Sequence, residues 1–398
     1  MRFAFVTTEF PTTRPTSGGL SSYVARMSRL LAEAGHEVEV FVSAPGAAKT
    51  LRVDKCLVHH VPSVTGAVWR RMTGVLRNSG FEHLGMKRAW LAQAGAMARA
   101  VERAHARAAF DVVHSADHQG IGRLIARRPG RLLLVRCSAA MDLYMASDGR
   151  HDRSAQAQVA LEAQTVRRAD LAIAPSAFTA RHTSARLGRP VEVLRPPASL
   201  EVTPAPAPDW LPPRYLLHFA GHLMRRKGTL LIAEALQTAL QDEPGLTMIW
   251  VGRMDFGALH DLLAPLGDRA AQVIALYPQG KPALYALIRG AACVVLPSLV
   301  DNLPNTVIES LMLGVPVIGS LNSSIEELVE PGKTGILIEN GSVQALSRAM
   351  VGAWRGDLPR GKAAIWHDSA LAQPFRPEVA LRAYLDLIAR HQPKRTTT

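Results

Sequence analysis

The sequence predicts an α/β protein made of two parallel-sheet domains. The chain has 398 residues, which is too long for one ordinary hydrophobic core and fits two domains. Short apolar runs of strand length alternate with helical patterns in both halves, as expected when helices cover parallel sheets. Between the halves, Pro and Ala crowd residues 197–213. That composition predicts a stiff linker.

The first half opens with a β-α-β pattern. We expect a strand at Arg2–Thr7, a helix from about Leu20 to Ala34 that ends at Gly35, and a second strand at Glu37–Val42. Further strands are expected at 111–114, 131–136 and 171–174. In the second half, strands are expected at 215–220, 247–251 and 272–276, with a helix around 229–239.

The most informative segment begins at residue 292. Ala292–Leu296 is an apolar run typical of a buried parallel strand. Pro304 fits the first turn of the next helix, where the backbone N–H groups of Asn305 and Thr306 would lack intrahelical partners. Such a helix start can bind an anion.

Two carboxylates flank this helix start. Asp301 precedes the helix, and Glu309 lies on its first or second turn, with seven residues between them. Both carboxylates could therefore reach one small ligand from different directions. The alternative is that Asp301 and Glu309 merely cap or solvate an ordinary helix.

This spacing, followed by the helix-to-strand exit Gly314–Ile318, resembles the E-x7-E donor signature of retaining GT-B glycosyltransferases of the family 4 type. The resemblance implies two Rossmann-like domains that face each other across a cleft, with the last helix crossing back to the N-terminal domain. It implies an N-terminal acceptor domain, a linker, a nucleotide-sugar donor domain, and a returning helix with a tail. Their expected bounds are 1–196, 197–213, 214–374 and 375–398.

A second part of the donor signature follows the first strand of the second domain. Gly221 and Lys227 match the family's Gly-Arg and Lys-Gly pattern, which implies that Lys227 holds the donor diphosphate. His222 stands where the family has Arg, and a neutral imidazole is not equivalent to a guanidinium. We expect a protonated His222 beside the diphosphate, with Arg225 and Arg226 as alternative cations. For Lys227 alone, the alternative is a solvated charge at a helix start, but its spacing from Gly221 favours the functional interpretation.

Gly18 and Gly19 lie between the first strand and the first helix. Glycine there lets the backbone approach a phosphate, and the resemblance places this pair against the donor diphosphate. An ordinary turn is the alternative. No Gly-x-Gly-x-x-Gly follows the first strand, which disfavours a nicotinamide dehydrogenase.

A third family region follows the strand that ends at His114. Many members have His at the position of Ala116, whereas Asp117 matches the acidic residue of an Asp-x-x-Gly-x-Gly ending. The resemblance implies that Asp117 and His118 contact the acceptor or the sugar. Alternatively, Asp117 caps the next helix.

The resemblance also implies a mechanism. The catalytic residues would be Asp301, Lys227, Asp117 and His118. The departing diphosphate would be stabilised by Lys227, by the amides of Asn305 and Thr306, and by the Gly18-Gly19 loop. Asp301 would bind sugar hydroxyls and Glu309 the ribose hydroxyls, with no covalent nucleophile. No Asp-x-Asp motif occurs, so we expect neither a metal nor a cofactor besides the sugar nucleotide substrate.

The positive charge is confined to the first half. Residues 1–200 have 28 Lys or Arg against 15 Asp or Glu, whereas residues 201–398 have 18 of each. Basic, partly apolar stretches at 64–77 and around Arg99, Arg103 and Arg107 fit contact with an anionic membrane and a lipid-linked acceptor. Alternatively, the arginines form a solvated face, and the 38 Arg against 8 Lys reflect composition alone.

The sequence shows neither a signal peptide nor an apolar run long enough to span a membrane. We therefore expect a cytoplasmic protein, with peripheral contact to the inner face of the plasma membrane. Three distant cysteines, Cys56, Cys137 and Cys293, have no spacing for a disulfide framework or zinc site and are expected to be buried.

The expected function is transfer of a hexose from a nucleoside-diphosphate sugar to a saccharide or lipid-linked acceptor, in cell-surface polysaccharide or glycoconjugate synthesis. A GT-B epimerase is a second enzyme class. A catalytically degenerate GT-B protein that acts as a sugar-nucleotide sensor or scaffold is the alternative from another class. Nucleic acid is not an expected partner, because only 6% of residues are aromatic and could supply stacking platforms.

Overall fold

The structure is a computed structural model and describes residues 1–13, 18–63, 82–200, 202–254, 256–358 and 366–392. The chain divides into two compact units, Met1–Pro197 with Pro377–Thr398, and Ala198–Arg376. Each unit contains one largely parallel sheet with helices. The predicted α/β fold class, with two parallel-sheet domains and a last helix that returns to the first, is confirmed.

The first unit has an eight-stranded sheet in the order β3-β4-β2-β1-β5-β6-β7-β8. Its elements are β1 (Arg2–Thr7), α1 (Gly19–Glu33), β2 (Glu37–Ala44), β3 (Lys49–Val53), β4 (Cys56–Pro62), α2 (Glu82–Arg107), β5 (Val112–Ala116), β6 (Leu132–Arg136), α3 (Met141–Ser147), α4 (Arg153–Arg168), β7 (Leu171–Ala174), α5 (Ala177–Leu187) and β8 (Glu192–Val193). Among the strand pairs of the described residues, β3–β4 is antiparallel and the others in this sheet are parallel. β1 lies between β2 and β5. Strands β2, β4 and β3 follow one another on one side of β1, and β5 to β8 follow one another on the other side.

The central strands of this sheet are mostly apolar because helices cover both faces. β5, β6 and β7 are buried along their whole length. On β1, Phe3 and Phe5 belong to the core on one face, whereas Ala4 and Val6 belong to the core on the other. The two cores hold β1 and β5 at the centre of the sheet, so packing on both faces fixes the carboxyl ends of these strands.

The second unit has a six-stranded, fully parallel sheet in the order β11-β10-β9-β12-β13-β14. Its elements are β9 (Leu216–His222), α6 (Thr229–Asp242), β10 (Met248–Arg253), α7 (Phe256–Leu263), β11 (Val273–Leu276), α8 (Lys281–Gly290), β12 (Cys293–Leu296), α9 (Asn305–Met312), β13 (Val317–Ser320), β14 (Gly335–Ile338) and α10 (Val343–Arg355). β9 pairs directly with β12, although five of these elements, from α6 to α8, lie between them in the chain. The loops after β9 and β12 therefore emerge from the same edge of the sheet.

The last helix, α11 (Pro377–His391), packs in the first unit. Its side chains Tyr384, Leu387 and Ile388 are buried in the same core as Phe3 and Phe5. The hydroxyl of Tyr384 shares a hydrogen bond of 2.9 Å with Nδ1 of His114, on β5. Burial lowers the pKa of His114 to about 3, so its ring is neutral at ordinary pH.

The segment predicted as a linker, 197–213, is part of the second unit from Ala198 onward. Ala198 is buried in the core of that unit, and its N–H donates to the carbonyl of Phe375 at 2.8 Å. The N–H of Ala205 donates to the carbonyl of Pro282 at 2.9 Å. The proline-rich stretch thus packs along the second unit.

Helix α2 carries the predicted arginine stripe. Arg99, Arg103 and Arg107 are exposed, whereas Met97 and Val101 are buried in the core. This arrangement matches the alternative in which the arginines form a solvated face. The other basic stretch, 64–77, lies outside the described residues, as does Ser17.

The three cysteines are free and buried, as predicted. Among the described residues, no helix combines the length and the apolar character that crossing a bilayer requires.

Candidate active site

The candidate donor site lies at the carboxyl ends of β9 and β12. The loop after β9 contacts the loop after β12, because the N–H of Leu299 donates to the carbonyl of Arg226 at 2.9 Å. Gly228 adopts a left-handed φ of 78°, and a Cβ there would lie 2.4 Å from the carbonyl oxygen of Pro297. Only glycine fits this position without displacement of the backbone. The two loops therefore pack against each other at Gly228 and Pro297.

A buried histidine on β9 links this strand to β12 and to the start of α6. His218 on β9 bonds through Nδ1 to the carbonyl of Val295 at 2.8 Å and through Nε2 to the hydroxyl of Thr229 at 3.0 Å. Burial lowers the pKa of His218 to about 4, so the ring is neutral. Since a carbonyl only accepts, Nδ1 carries the proton and Nε2 accepts from Thr229.

The structure brings Lys227 and Asp301 together. Nζ of Lys227 and Oδ2 of Asp301 form an ion pair. The Asp301 residue is only 5% exposed. Its Oδ2 accepts from the hydroxyl of Ser298 at 3.3 Å, and its Oδ1 accepts from the N–H of Asn302 at 3.1 Å. The carboxylate is therefore held in a defined orientation beside the lysine.

Glu309 has a lysine of its own. It is buried on α9, and its Oε1 forms an ion pair with Nζ of Lys281, the first residue of α8. The Lys281 side chain is 40% exposed, and its Nζ lies 5.4 Å from the centre of the Tyr285 ring. We did not predict Lys281, because nothing in its local spacing links it to a helix that begins 24 residues later.

Helix α9 begins at Asn305, one residue later than expected, because Pro304 lies just before it in an extended conformation. The N–H groups of Val307 and Ile308 donate to the carbonyl of Pro304. Those of Asn305 and Thr306 precede the first intrahelical bond and point out of the helix start. Both residues are partly exposed.

Gly221 and His222 end strand β9 and are exposed. His222 pairs with Arg253 in the register of β10. Arg225 is exposed, and Arg226 donates to Sδ of Met224 at 3.3 Å. The ammonium of Lys227, in the same loop, forms an ion pair with the carboxylate of Asp301.

In the first unit, Gly18 and Gly19 start helix α1 at the carboxyl end of β1. Gly18 is extended, with φ of −76° and ψ of 179°, and no side chain caps the helix. A Cβ on Gly18 would lie 3.1 Å from Oε2 of Glu9, so the backbone passes close to that carboxylate. Both glycines lie in a different compact unit from Lys227 and Asp301.

Asp117 follows β5 and is buried. Its Oδ1 accepts from the N–H of Ser138 at 2.8 Å, and burial raises its pKa to about 6. Asp117 does not cap the following turn, so that alternative is wrong: its carboxylate is used by Ser138 instead. His118 opens the turn, and its Nδ1 lies 3.7 Å from Oε1 of Glu162.

Glu162 and Arg136 are functional candidates that the sequence did not suggest. Glu162 on α4 is buried and accepts from the N–H of Gln119 at 3.0 Å and from Nε2 of Gln158 at 2.9 Å. Burial raises the pKa of Glu162 well above its usual range. Arg136 ends β6, and its guanidinium lies 4.1 Å above the ring of Tyr23. In the sequence, the one indication of such a role for Arg136 was its position at the end of an apolar run of strand length.

Comparison with known proteins identifies the family of the chain. The chain matches the model of Glycosyltransferase Family 4 over residues 17–202 and that of Glycosyl transferases group 1 over residues 214–355. The two models together include most of both compact units. The protein is a glycosyltransferase with the GT-B fold. It belongs to the family 4 type of these enzymes.

Several relatives and structures are similar along the chain. The D-inositol 3-phosphate glycosyltransferase of Nocardiopsis dassonvillei is 28% identical over 92% of this chain and 85% of its own. That of Mycobacterium avium is 25% identical over 95% and 91%. Sucrose-phosphate synthase from Thermosynechococcus elongatus aligns with a TM-score of 0.72 at 18% identity, over 98% of both chains. Anabaena HepE in complex with UDP-glucose aligns with a TM-score of 0.67 at 16% identity, over 98% and 100%.

Proposed function

We propose that this protein transfers a hexose from a nucleoside-diphosphate sugar to a saccharide or lipid-linked saccharide, with retention of configuration. The ion pair between Lys227 and Asp301, at the carboxyl ends of two adjacent strands, is the observation that carries the proposal. A cation and an oriented carboxylate side by side offer partners for a diphosphate and for sugar hydroxyls. The product would serve cell-surface polysaccharide or glycoconjugate synthesis.

Donor binding would exchange the partners within this site. A diphosphate would take over the ammonium of Lys227 and accept from the N–H groups of Asn305 and Thr306. Asp301, released from Lys227, would accept from sugar hydroxyls, and Glu309 would accept from the ribose hydroxyls. Gly221 and His222 would line the same diphosphate, and Gly18 and Gly19 would contribute backbone N–H groups.

The proposed chemistry depends on stabilisation of the leaving group. Negative charge grows on the departing diphosphate in the transition state, where Lys227 and the helix start would hold it. No covalent nucleophile is assigned and no metal is required in this proposal, which rests on the lack of an Asp-x-Asp motif in the sequence. Asp117 and His118 would contact the reacting sugar or the acceptor.

A second acceptor class is favoured by the relatives. Full-length relatives named D-inositol 3-phosphate glycosyltransferase are 25 to 28% identical to this chain. A small phosphorylated polyol is therefore a candidate acceptor beside a saccharide. Direct comparison of transfer to inositol 3-phosphate and to a lipid-linked saccharide decides between the two.

We further propose a cytoplasmic location with peripheral contact to an anionic membrane. The support is the positive charge of residues 1–200 and the exposure of Arg99, Arg103 and Arg107 on α2. Sedimentation with vesicles that contain anionic lipid, compared with neutral vesicles, tests this contact. Equal sedimentation with both removes it.

The test of the main proposal begins with a thermal-shift screen against UDP-, GDP- and ADP-sugars, because a bound donor raises the midpoint of unfolding. Transfer is then assayed with the donor that binds. Asp301→Ala and Glu309→Ala are expected to abolish transfer, whereas Asp261→Ala, at an exposed position of α7, retains it. Donor binding without turnover over a broad acceptor panel favours the sensor or scaffold alternative.

A further inference from the structure

Arg136 is a buried cation whose hydrogen-bonding capacity is unused. The residue ends β6 and is only 7% exposed. Its guanidinium stacks on Tyr23, with 4.1 Å from Cζ to the ring centre. Within the described part of the chain, the guanidinium donates no hydrogen bond and has no ion-pair partner. A guanidinium has five N–H donors. The nitrogens of Arg136 are not among the fully enclosed, unpaired atoms of the described residues, so a ligand can reach them.

The position of Arg136 is one where parallel sheets bind ligands. It lies opposite Ala116 in the β5–β6 register, so it emerges at the carboxyl edge next to Asp117. A second unused donor is close by. The hydroxyl of Tyr23 is buried and has no partner among the described residues. Burial raises the pKa of Tyr23, so the hydroxyl keeps its proton and can donate.

The neighbouring carboxyl groups do not form ion pairs with Arg136. Asp117 is bound to the N–H of Ser138, and Glu162 is bound to Gln119 and Gln158. Burial raises the pKa of Asp117 to about 6, which leaves it largely ionised at pH 7, and raises the pKa of Glu162 well above its usual range, which lowers the negative charge of Glu162. The guanidinium is therefore only partly balanced by its surroundings.

We propose that Arg136, together with the Tyr23 hydroxyl, binds an anionic group of the acceptor, a phosphate or a carboxylate. A guanidinium matches both anions because it can donate two parallel hydrogen bonds to their oxygens. Arg136 thus selects acidic acceptors over neutral ones of the same size. This inference rests on the proposed function, in which the first unit receives the acceptor.

The test measures binding of three probes to the full-length protein saturated with the nucleoside diphosphate that the donor screen identifies. The probes are glucose 6-phosphate, glucuronate and glucose, and isothermal titration calorimetry gives each Kd. Saturation with the nucleotide keeps the acidic probes away from Lys227. The first two probes distinguish a phosphate from a carboxylate, and glucose is the neutral control.

We expect at least one acid to bind the wild type about tenfold or more tightly than glucose, as a charge-assisted bidentate contact provides. Arg136→Gln removes this preference, Arg136→Lys retains part of it, and Tyr23→Phe weakens it. Arg52→Gln, which removes the same charge from an exposed position of β3, leaves it unchanged. Nucleotide affinity stays the same in every variant, which shows that each is folded.

An unchanged preference for acids in Arg136→Gln overturns the proposal, as does failure of both acids to bind the wild type more tightly than glucose. These results are distinct from failure of the proposed function. If no nucleoside diphosphate binds the wild type, the donor site itself is misassigned. If the nucleotide binds but Arg136→Gln leaves the preference for acidic probes unchanged, the anion subsite is wrong and the donor site stands.

Discussion

Lys227 and Asp301 form an ion pair although 74 positions separate them in the chain. The contact exists because β9 and β12 are neighbours in the sheet, which brings the loops after them together. Each group therefore has a partner before a donor arrives. A diphosphate that binds Lys227 would compete with Asp301 for the ammonium, and such competition would couple diphosphate binding to release of the carboxylate proposed to bind the sugar.

Replacement of Lys227 by Met is expected to weaken binding of the nucleoside diphosphate by roughly 10- to 100-fold, because one charge-assisted hydrogen bond is lost. Binding of the corresponding nucleoside, which lacks phosphates, should change little. Calorimetric titration of both ligands measures the difference. Lys333→Met, which removes an exposed lysine of the same unit, is the control. An equal loss for nucleoside and diphosphate would show that Lys227 does not act on the phosphates.

Glu309 is expected to recognise the ribose. Glu309→Gln should lower affinity for the ribonucleoside diphosphate by roughly tenfold, because a charged acceptor becomes neutral. Affinity for the 2′,3′-dideoxy analogue should be nearly the same in both proteins. Lys281→Met should likewise weaken binding of the ribonucleoside diphosphate more than binding of the dideoxy analogue, because Lys281 forms an ion pair with the Glu309 carboxylate. A loss that is equal for both nucleotides would contradict this assignment.

Gly228 is expected to be indispensable for stability. Gly228→Ala forces a Cβ against Pro297 in a left-handed conformation, so it should lower the free energy of unfolding by about 1–3 kcal/mol. Gly245→Ala is the control, because a Cβ there meets no atom within 4 Å. Urea denaturation of the two variants gives the comparison. Equal stabilities would show that the two loops adjust freely.

Tyr384 ties helix α11 to β5. Tyr384→Phe leaves Nδ1 of the buried His114 without its partner, and the free energy of unfolding should fall by about 1–3 kcal/mol. Tyr277→Phe, at a tyrosine that is 64% exposed, is the control. Chemical denaturation followed by tryptophan fluorescence measures both. If Tyr384→Phe is as stable as the wild type, the hydrogen bond contributes nothing to docking of the helix.

Asp117 should make stability depend on pH. Its pKa is about 6 in the folded protein against 3.8 in the unfolded chain. The folded state therefore holds the proton more tightly, and stability falls as pH rises through that window. Asp117→Asn removes the titration, so its stability relative to the wild type should grow between about pH 4 and pH 6, by roughly 3 kcal/mol at most. Denaturation at several pH values checks this, and a constant difference would refute the burial effect.

The sequence alone predicted the elements and the local part of the candidate donor site. Apolar runs of strand length and helical patterns predicted β1, α1, β5, β9 and β12 within a few residues, because periodicity and turn residues act over short distances. Asp301 and Glu309 were predicted for the same reason, since a single loop and helix start carries both. Helix α9 began one residue late only because Pro304 ends the loop.

The tertiary structure decided which distant residues meet. Lys281 against Glu309, Arg136 on Tyr23, and Glu162 on the N–H of Gln119 are contacts between elements far apart in the chain. Sheet order and helix packing create them, and no local pattern encodes that order. Burial strengthens the effect of a charge or hydrogen bond on its surroundings, and each of these contacts includes a buried residue. Their importance can therefore be recognised only from the three-dimensional structure.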